Sequence, residues 1–505
     1  MLDVSRSDLT AGVAGSGTMG RGIVQVLAQC GARVRVFDAQ TGAAAKAKDA
    51  IAKALANQVQ KGRMAQGDAD ATLGRIAIVD TLDALKDCHV VVEAIIEELE
   101  AKRTLFRALE AIVREDCILA SNTSSLSVTA MAAACKRPGR VAGYHFFNPV
   151  PLMKIVEVVD GVLTEPWVGD ALVALARRYG HTPVRCKDTP GFVVNHAGRG
   201  FVPESLRVLQ EGVADFATID RILVDAAGFR MGPFSLLDLV GLDVAHAVMK
   251  SMHAQYYGEP KYQPAYIAEP RVAAGLLGRK TGRGWYRYDK ENNPEKIPEQ
   301  PVPAAKAAAV WAAPELKDLL GKLGARIEAK PGPDTVCLVA PLGKDATSAA
   351  LDAGLDPART VAVDPLFGFA KRRTLMVSPA TKKEVRDAAH GLLASDGVPV
   401  SVIRDSAGFV AQRVVAHIVN IGCDIVQQGI ATPEDLDRAV MLGLGYPKGP
   451  LGMGDAARGV GDTAGAANIL AVLEAMYDFT KEPRYRPSPW LARRAKLGLS
   501  LLTPE

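Results

Sequence analysis

Two residues in one stretch could act as a proton-transfer pair. His145 lies in Gly143-Tyr144-His145-Phe146-Phe147-Asn148-Pro149, and Glu157 follows in Lys154-Ile-Val-Glu157-Val-Val159. Both flanks, 141–147 and 154–159, are β-type runs around the proline-rich turn Asn148-Pro-Val-Pro-Leu-Met153. Folded as an antiparallel hairpin centred on Pro151, they set His145 opposite Glu157 with Cβ atoms about 5 Å apart. A carboxylate beside an imidazole fixes its tautomer, raises its basicity and stabilises the imidazolium. Oxidation of an alcohol needs such a pair, because a base must take the hydroxyl proton while carbon gives up hydride. A histidine in a strand is more often structural, so the pair needs a cofactor site beside it.

That site is legible at the amino terminus. Gly15-Ser-Gly17-Thr18-Met19-Gly20 fits Gly-x-Gly-x-x-Gly, directly after an apolar strand and opening a helix over 19–29. The first glycine makes the tight turn, the second lets backbone approach a pyrophosphate, and the third lets helix and strand pack closely. The phosphates then meet a helix amino terminus, where free N–H groups and the dipole favour anions. Asp38 ends the next strand, Arg33-Val-Arg-Val-Phe-Asp38, where a carboxylate can bind the adenosine ribose hydroxyls and repel a 2′-phosphate. NAD is therefore expected rather than NADP. Glu97 and Lys102, and Asn122-Thr-Ser124-Ser125, follow the strands 90–93 and 118–120 at their carboxyl ends, the edge where open α/β sheets bind ligands. On spacing alone, Glu97 and Lys102 read equally well as a solvated helical pair.

These residues need a frame. Strand candidates at 10–14, 34–37, 76–79, 90–93 and 118–120 alternate with helical stretches, the pattern of a parallel sheet covered on both faces. After Asp188 apolar residues recur at three- and four-residue spacing, as in long amphipathic helices. Gly278 to Asp289 closes that region, and Lys290 to Pro303, with four prolines and many charges, has a linker's composition. An internal repeat then stands out. Asp188-Thr-Pro-Gly-Phe-Val-Val194 recurs as Asp405-Ser-Ala-Gly-Phe-Val-Ala411. At the same offset Gln210 matches Gln427, Asp220-Arg221 matches Asp437-Arg438, and Gly232-Pro233 matches Gly449-Pro450. The division expected is a Rossmann-like NAD-binding domain (1–187), an all-α domain (188–289), a linker (290–311), a small α/β connecting domain (312–400) and a second, non-catalytic helical copy (401–505).

A chain of 505 residues is too long for one core, and 48% hydrophobic with 23% charged residues is an ordinary globular composition. A net charge of +4 without a dense basic run argues against nucleic acid as a partner. The start of the chain, with Asp3, Arg6 and Asp8, lacks the apolar core of a signal peptide, and no stretch reaches about 18 uninterrupted apolar residues. No membrane partner and a cytoplasmic location are expected. Seven scattered cysteines show no metal-ligand spacing and read as buried thiols, with no metal site.

Together the motifs resemble the 3-hydroxyacyl-CoA dehydrogenase family. The resemblance rests on Ser121-Asn-Thr-Ser-Ser-Leu126, His145-Phe-Phe-Asn-Pro-Val-Pro151 continuing to Val156-Glu157-Val158, Asp188-Thr-Pro-Gly-Phe-Val-Val-Asn195 and Gly278-Arg-Lys-Thr-Gly282, in the family's order. It implies NAD-dependent oxidation of (S)-3-hydroxyacyl-CoA to 3-oxoacyl-CoA, in fatty-acid or aromatic (phenylacetate-type) degradation. His145 would be the base and Glu157 its orienting partner. By the same likeness Ser124 and Asn195 hydrogen-bond the substrate's reacting oxygens, and Asn148 lies near the nicotinamide. Glu97 and Lys102 contact NAD, and Lys61 meets the CoA phosphates. Two positions depart from the family. His196 follows Asn195 where arginine is usual, and Ala54 stands about where a CoA-contacting serine is found. The second copy has Gln412 in place of Asn195, and nothing in 312–400 resembles the histidine and glutamate strands, so one active site per chain is expected. In the family's shorter members the helical domain dimerises, which implies either a homodimer or a pseudo-dimer within one chain. Two other readings stand beside this one: a β-hydroxyacid dehydrogenase acting on a free acid, and a non-catalytic NAD-binding protein on the same fold.

Overall fold

In the computed structural model residues 3–307, 309–460 and 464–505 are described. They group into two compact units, one of residues 1–195 with 429–444, the other of residues 196–428 with 445–505.

The first unit begins β1 (Thr10–Ala14), α1 (Thr18–Gln29), β2 (Arg33–Phe37), α2 (Ala43–Gln60), α3 (Gln66–Gly74), β3 (Ile76–Val79), β4 (Val90–Glu93), α4 (Leu99–Ile112), β5 (Ile118–Ser121) and α5 (Val128–Ala132). It continues β6 (Val141–Phe146), β7 (Ile155–Asp160), α6 (Pro166–Arg178) and β8 (Thr182–Lys187). The sheet order is β3-β2-β1-β4-β5-β6-β7-β8. Only β6 and β7 run antiparallel, with His145 opposite Glu157. Strand alternation feeds both faces: Val90 and Val92 join Val13, Ile23, Leu27 and Leu172 in one core, whereas Val91 joins Phe106, Leu109 and Leu119 in another.

The second unit carries the helices α8 (Val202–Gln210), α9 (Phe216–Asp225), α10 (Pro233–Val240), α11 (Leu242–Gln255) and α12 (Ala268–Ala273), which follow the short α7 (Val194–Ala197) at the junction. A second sheet follows: β9 (Ala309–Ala312), α13 (Lys317–Lys322), β10 (Arg326–Ile327), β11 (Val336–Val339), α14 (Ala346–Asp352), β12 (Thr360–Val363), β13 (Arg373–Val377), α15 (Lys383–Leu393) and β14 (Val400–Arg404). Its order is β10-β9-β11-β12-β13-β14. The repeat closes the chain as α16 (Ala411–Gln427), α17 (Pro433–Leu444), α18 (Pro450–Ala456), α19 (Gly465–Thr480) and α20 (Pro489–Leu497).

Two findings go beyond the sequence reading. First, α17 groups with the first unit, against β7 and β8, although its sequence continues the second helical copy. Lys187, on edge strand β8, donates its N–H to Ile430 O at 3.0 Å. In the second unit Arg404 of edge strand β14 donates in the same way to Val213 O at 2.9 Å, and the Gln300 side chain pairs with both main-chain groups of Val402. Second, residues 312–400 do repeat the histidine and glutamate strands as backbone. Strands β11, β12, β13 and β14 pair parallel, antiparallel, parallel, as do β5 to β8. Asp405 accepts from Ala346 N at the start of α14 just as Asp188 accepts from Val128 N and Thr129 N at the start of α5.

Within the second unit the helical copies dock on each other. A Cβ on Gly200 would stand 2.6 Å from Ile418 Cα, so the backbones approach as closely as glycine permits. Buried Glu204 of the first copy accepts from Arg413 Nε (2.6 Å) and Tyr485 Oη (2.7 Å) of the second, with Arg484 Nη2 at 3.1 Å.

Candidate active site

The amino end of α1 is built to receive an anion. Its N-cap is Gly17, no side chain caps it, and its first turn holds no acidic residue. Gly15 has a φ of 98°, and a Cβ there would lie 2.5 Å from Ala94 O; one on Gly20 would lie 1.9 Å from Gly15 O. Nothing stands within 4 Å of a Cβ placed on Gly17, so that backbone is open for a ligand to approach. A dinucleotide pyrophosphate fits this cradle. Asp38 holds the loop through Oδ2, which accepts from Ser16 N (2.7 Å) and Ser16 Oγ (2.6 Å), while Oδ1 accepts from Gln40 N. Burial works to raise its carboxyl, but these bonds from Ser16 and Gln40 outweigh it and keep the carboxyl below the ordinary range.

A cavity of about 470 Å³ opens beside this loop, within the first unit. Gly17, Thr18, Met19, Glu97, Lys102, Asn122, Ser124, His145, Asn148 and Asn195 all line it. Asp38 lies beside the loop rather than on the cavity wall, and Lys61, exposed just past the end of α2, does not line the cavity. A larger cleft, about 800 Å³, occurs in the second unit around Arg386, Asp387, His390 and Arg404.

In the cavity His145 Nδ1 lies 2.6 Å from Glu157 Oε2. Glu157 is fully buried, and its other oxygen accepts from Val193 N (2.9 Å) and Val194 N (2.8 Å). Those donors sit on a sharp turn in which Gly191 and Phe192 both have positive φ, and the turn leads straight to Asn195. One carboxylate thus ties the histidine strand to the start of α7. With Nδ1 held, Nε2 is the nitrogen left to take a proton. The ring is flanked by Phe147 and Phe192, with centroids 4.5 and 5.8 Å away. Asn122 Oδ1 accepts from Phe146 N at 2.9 Å, pinning the end of β6 to the loop that carries Ser124.

The sequence left Glu97 and Lys102 open as an exposed pair; Lys102 is in fact 1% exposed. Its Nζ lies 2.5 Å from Glu93 Oε1 and 3.2 Å from Glu97 Oε2. Glu97 Oε1 accepts from Thr123 Oγ1, Ser124 N and Ser125 N at 2.7 to 3.1 Å. Burial works to raise the Glu97 carboxyl, but the bonds from Thr123, Ser124 and Ser125 and the Lys102 ammonium hold it low. Glu93 escaped the sequence reading. The available signal was an acidic residue ending the apolar run Val90-Val-Val-Glu93 at a ligand-binding edge.

Among the described residues no cluster of three or more potential ligands for a metal ion occurs, and no helix is long and apolar enough to cross a membrane. Residues 10–189 match the family model of the 3-hydroxyacyl-CoA dehydrogenase NAD-binding domain; residues 191–288 and again 408–500 match that of the C-terminal domain. A protein named 3-hydroxyadipyl-CoA dehydrogenase from Escherichia coli is 36% identical over 97% of this chain and 98% of its own length. A probable 3-hydroxybutyryl-CoA dehydrogenase of Deinococcus radiodurans is 42% identical over 55% of this chain and 99% of its own. The crystal structure of an Escherichia coli 3-hydroxybutyryl-CoA dehydrogenase superposes with a TM-score of 0.85 at 35% identity, covering 97% of this chain and 99% of that one.

Proposed function

This chain belongs to the 3-hydroxyacyl-CoA dehydrogenase family, and from that premise we propose that it oxidises (S)-3-hydroxyacyl-CoA to 3-oxoacyl-CoA with His145 as the base. The observation that carries the proposal is the His145–Glu157 pair in the same cavity as the glycine loop. NAD, when bound, supplies the ring carbon that accepts a hydride. The substrate's C3–H bond breaks as hydride leaves, its hydroxyl proton passes to His145 Nε2, and the C3 carbonyl forms. Glu157 keeps the proton-accepting tautomer and stabilises the imidazolium. Ser124 and Asn195 hydrogen-bond the substrate oxygens, with Asn148 beside the ring. Gly15 to Gly20, Asp38, Glu97, Lys102 and Asn122 hold the dinucleotide, and Lys61 meets the CoA phosphates as a point charge.

The test is NADH formation from a panel of 3-hydroxyacyl-CoAs varying in length and terminal charge, with the matching free acids alongside. Turnover of a thioester, lost in His145→Gln, is expected; equal turnover of a free acid, or an unimpaired variant, would overturn the reading. The full-length relative named for a 3-hydroxyadipyl group makes a carboxyl-terminated acyl chain the first member to try, and with it a role in aromatic or fatty-acid degradation. The enzyme acts in the cytoplasm on this reading. The domain limits 187 and 289 belong to it too, whereas 311 and 400 would cut β9 and β14, so the linker ends before Ala309 and the connecting domain after Arg404; proteolysis falling first within 290–308 supports this division. The mutual packing of the helical copies supports a pseudo-dimer within one chain, for which sedimentation at a monomer's mass is the expected result.

A further inference from the structure

The charge around Lys102 beside the cavity does not cancel. Lys102 contributes one positive charge, and two carboxylates, Glu93 and Glu97, close on its ammonium. The cavity wall therefore carries one net negative charge from this cluster. Glu93 touches neither the cavity nor any of its openings. It is fully buried, with Oε1 taken by Lys102 Nζ and Ile95 N, and Oε2 by Ser121 Oγ at 2.6 Å. Were Lys102 there only to attract a dinucleotide's phosphates, a buried carboxylate at 2.5 Å would oppose that purpose. The phosphates already have the amino end of α1, and Lys102 lines the cavity together with Asn122, Ser124 and His145, the residues among which the reacting ring is proposed to lie.

That ring changes charge during the reaction: the oxidised nicotinamide is cationic and the reduced one is neutral. A fixed negative charge close to the ring stabilises the first and is indifferent to the second. We propose that Glu93 is an electrostatic positioning residue that, by outweighing Lys102 together with Glu97, biases the site toward the oxidised form of its nicotinamide cofactor. This rests on the dehydrogenase reading above. It adds a determinant of how strongly each redox form is held, acting through Lys102 and Glu97 rather than by contact.

The test is the ratio of the dissociation constants for NADH and NAD, measured separately on the full chain by fluorescence and calorimetry without acyl substrate. In Glu93→Gln the ratio should shift toward NADH by roughly three- to tenfold, whereas Glu93→Asp, which keeps the charge, should restore it even if both forms bind more weakly. Ser121→Ala, which removes a hydrogen bond of Glu93 but no charge, should leave the ratio unchanged. If Glu93→Gln does not fold, Glu97→Gln removes the same charge from a partly exposed position and should move the ratio the same way. Equal weakening of both redox forms would make Glu93 a purely structural residue and overturn the proposal while leaving the dehydrogenase reading intact. Failure of the wild-type chain to bind either form would instead strike at that reading.

Discussion

The sheet segment β5 to β8, with the helix start after it, and the segment β11 to β14, with α16 after it, share one backbone plan. Asp188 and Asp405 cap equivalent helices, and the turns after them repeat the same positive φ values at Gly191 and Phe192, and at Gly408 and Phe409. Following the register from these aspartates, Thr374 takes the place of Glu157 and Asp364 that of His145, with Leu342 for Ser124 and Gln412 for Asn195. In the second segment Gln412 Nε2 donates to Asp364 Oδ1 at 2.8 Å and to Pro341 O, while its Oε1 accepts from Gly343 N. In the first, His145, Ser124 and Asn195 line a cavity. We propose that the frame serves as a reaction site where His145, Ser124 and Asn195 face a cavity, and as a structural tie where Gln412 and Asp364 bond each other. Chemistry resides in a few side chains grafted on a fold.

The sharpest way to break this contrast is to compare twin positions. His145→Gln should lower kcat by about a hundredfold or more, the usual contribution of a general base, while Asp364→Asn leaves NADH production unchanged; a comparable loss in both would mean that the second segment also takes part in turnover. Asn195→Ala should cost roughly ten- to a hundredfold in kcat/KM if it steadies the developing oxyanion. Its twin Gln412→Ala should keep activity but lose about 1–3 kcal/mol in urea unfolding, because it strips partners from buried groups. Gly20→Ala should raise the KM for NAD steeply, since its Cβ has no room beside Gly15 O, and titration with NAD checks it. The smallest effect concerns pH. Burial pushes the Asp364 carboxyl up to about 6 from 3.8, against the Gln412 and Leu366 donors. The fold thus favours its protonated form, and the contribution to stability present below 3.8 is lost as pH rises through about 6. Asp364→Asn should accordingly raise Tm at neutral pH, with the gain fading toward pH 4, as a series of thermal melts would show.

Much of the first unit was legible because its signals are local. Gly15 to Gly20 demands a turn of one kind, and the runs around Pro151 dictate a hairpin whose register sets His145 on Glu157. Lys102 and Glu93 were harder, because what fixes them is a contact between a helix and a strand end, and charge in a sequence says nothing about burial. The repeat of β5 to β8 was hidden for the opposite reason. A strand ladder is held by backbone hydrogen bonds and apolar packing, so its residues can change until only Asp405-Ser-Ala-Gly-Phe still shows the kinship. The grouping of α17 with the first unit depends on packing against β7 and β8, which no local pattern encodes.

The hydrogen bonds at Lys187 and Arg404 have a consequence for solubility. A sheet's outermost strand shows a row of unpaired N–H and C=O groups, a template on which another chain can add itself. On β8 that template is interrupted by Ile430, and on β14 by Val213 and the Gln300 side chain. Each helical copy thus blocks growth along the margin of one sheet. A chain cut at residue 300 would keep every proposed catalytic side chain yet uncover β8, and is expected to precipitate or pair with itself where the whole chain stays dispersed.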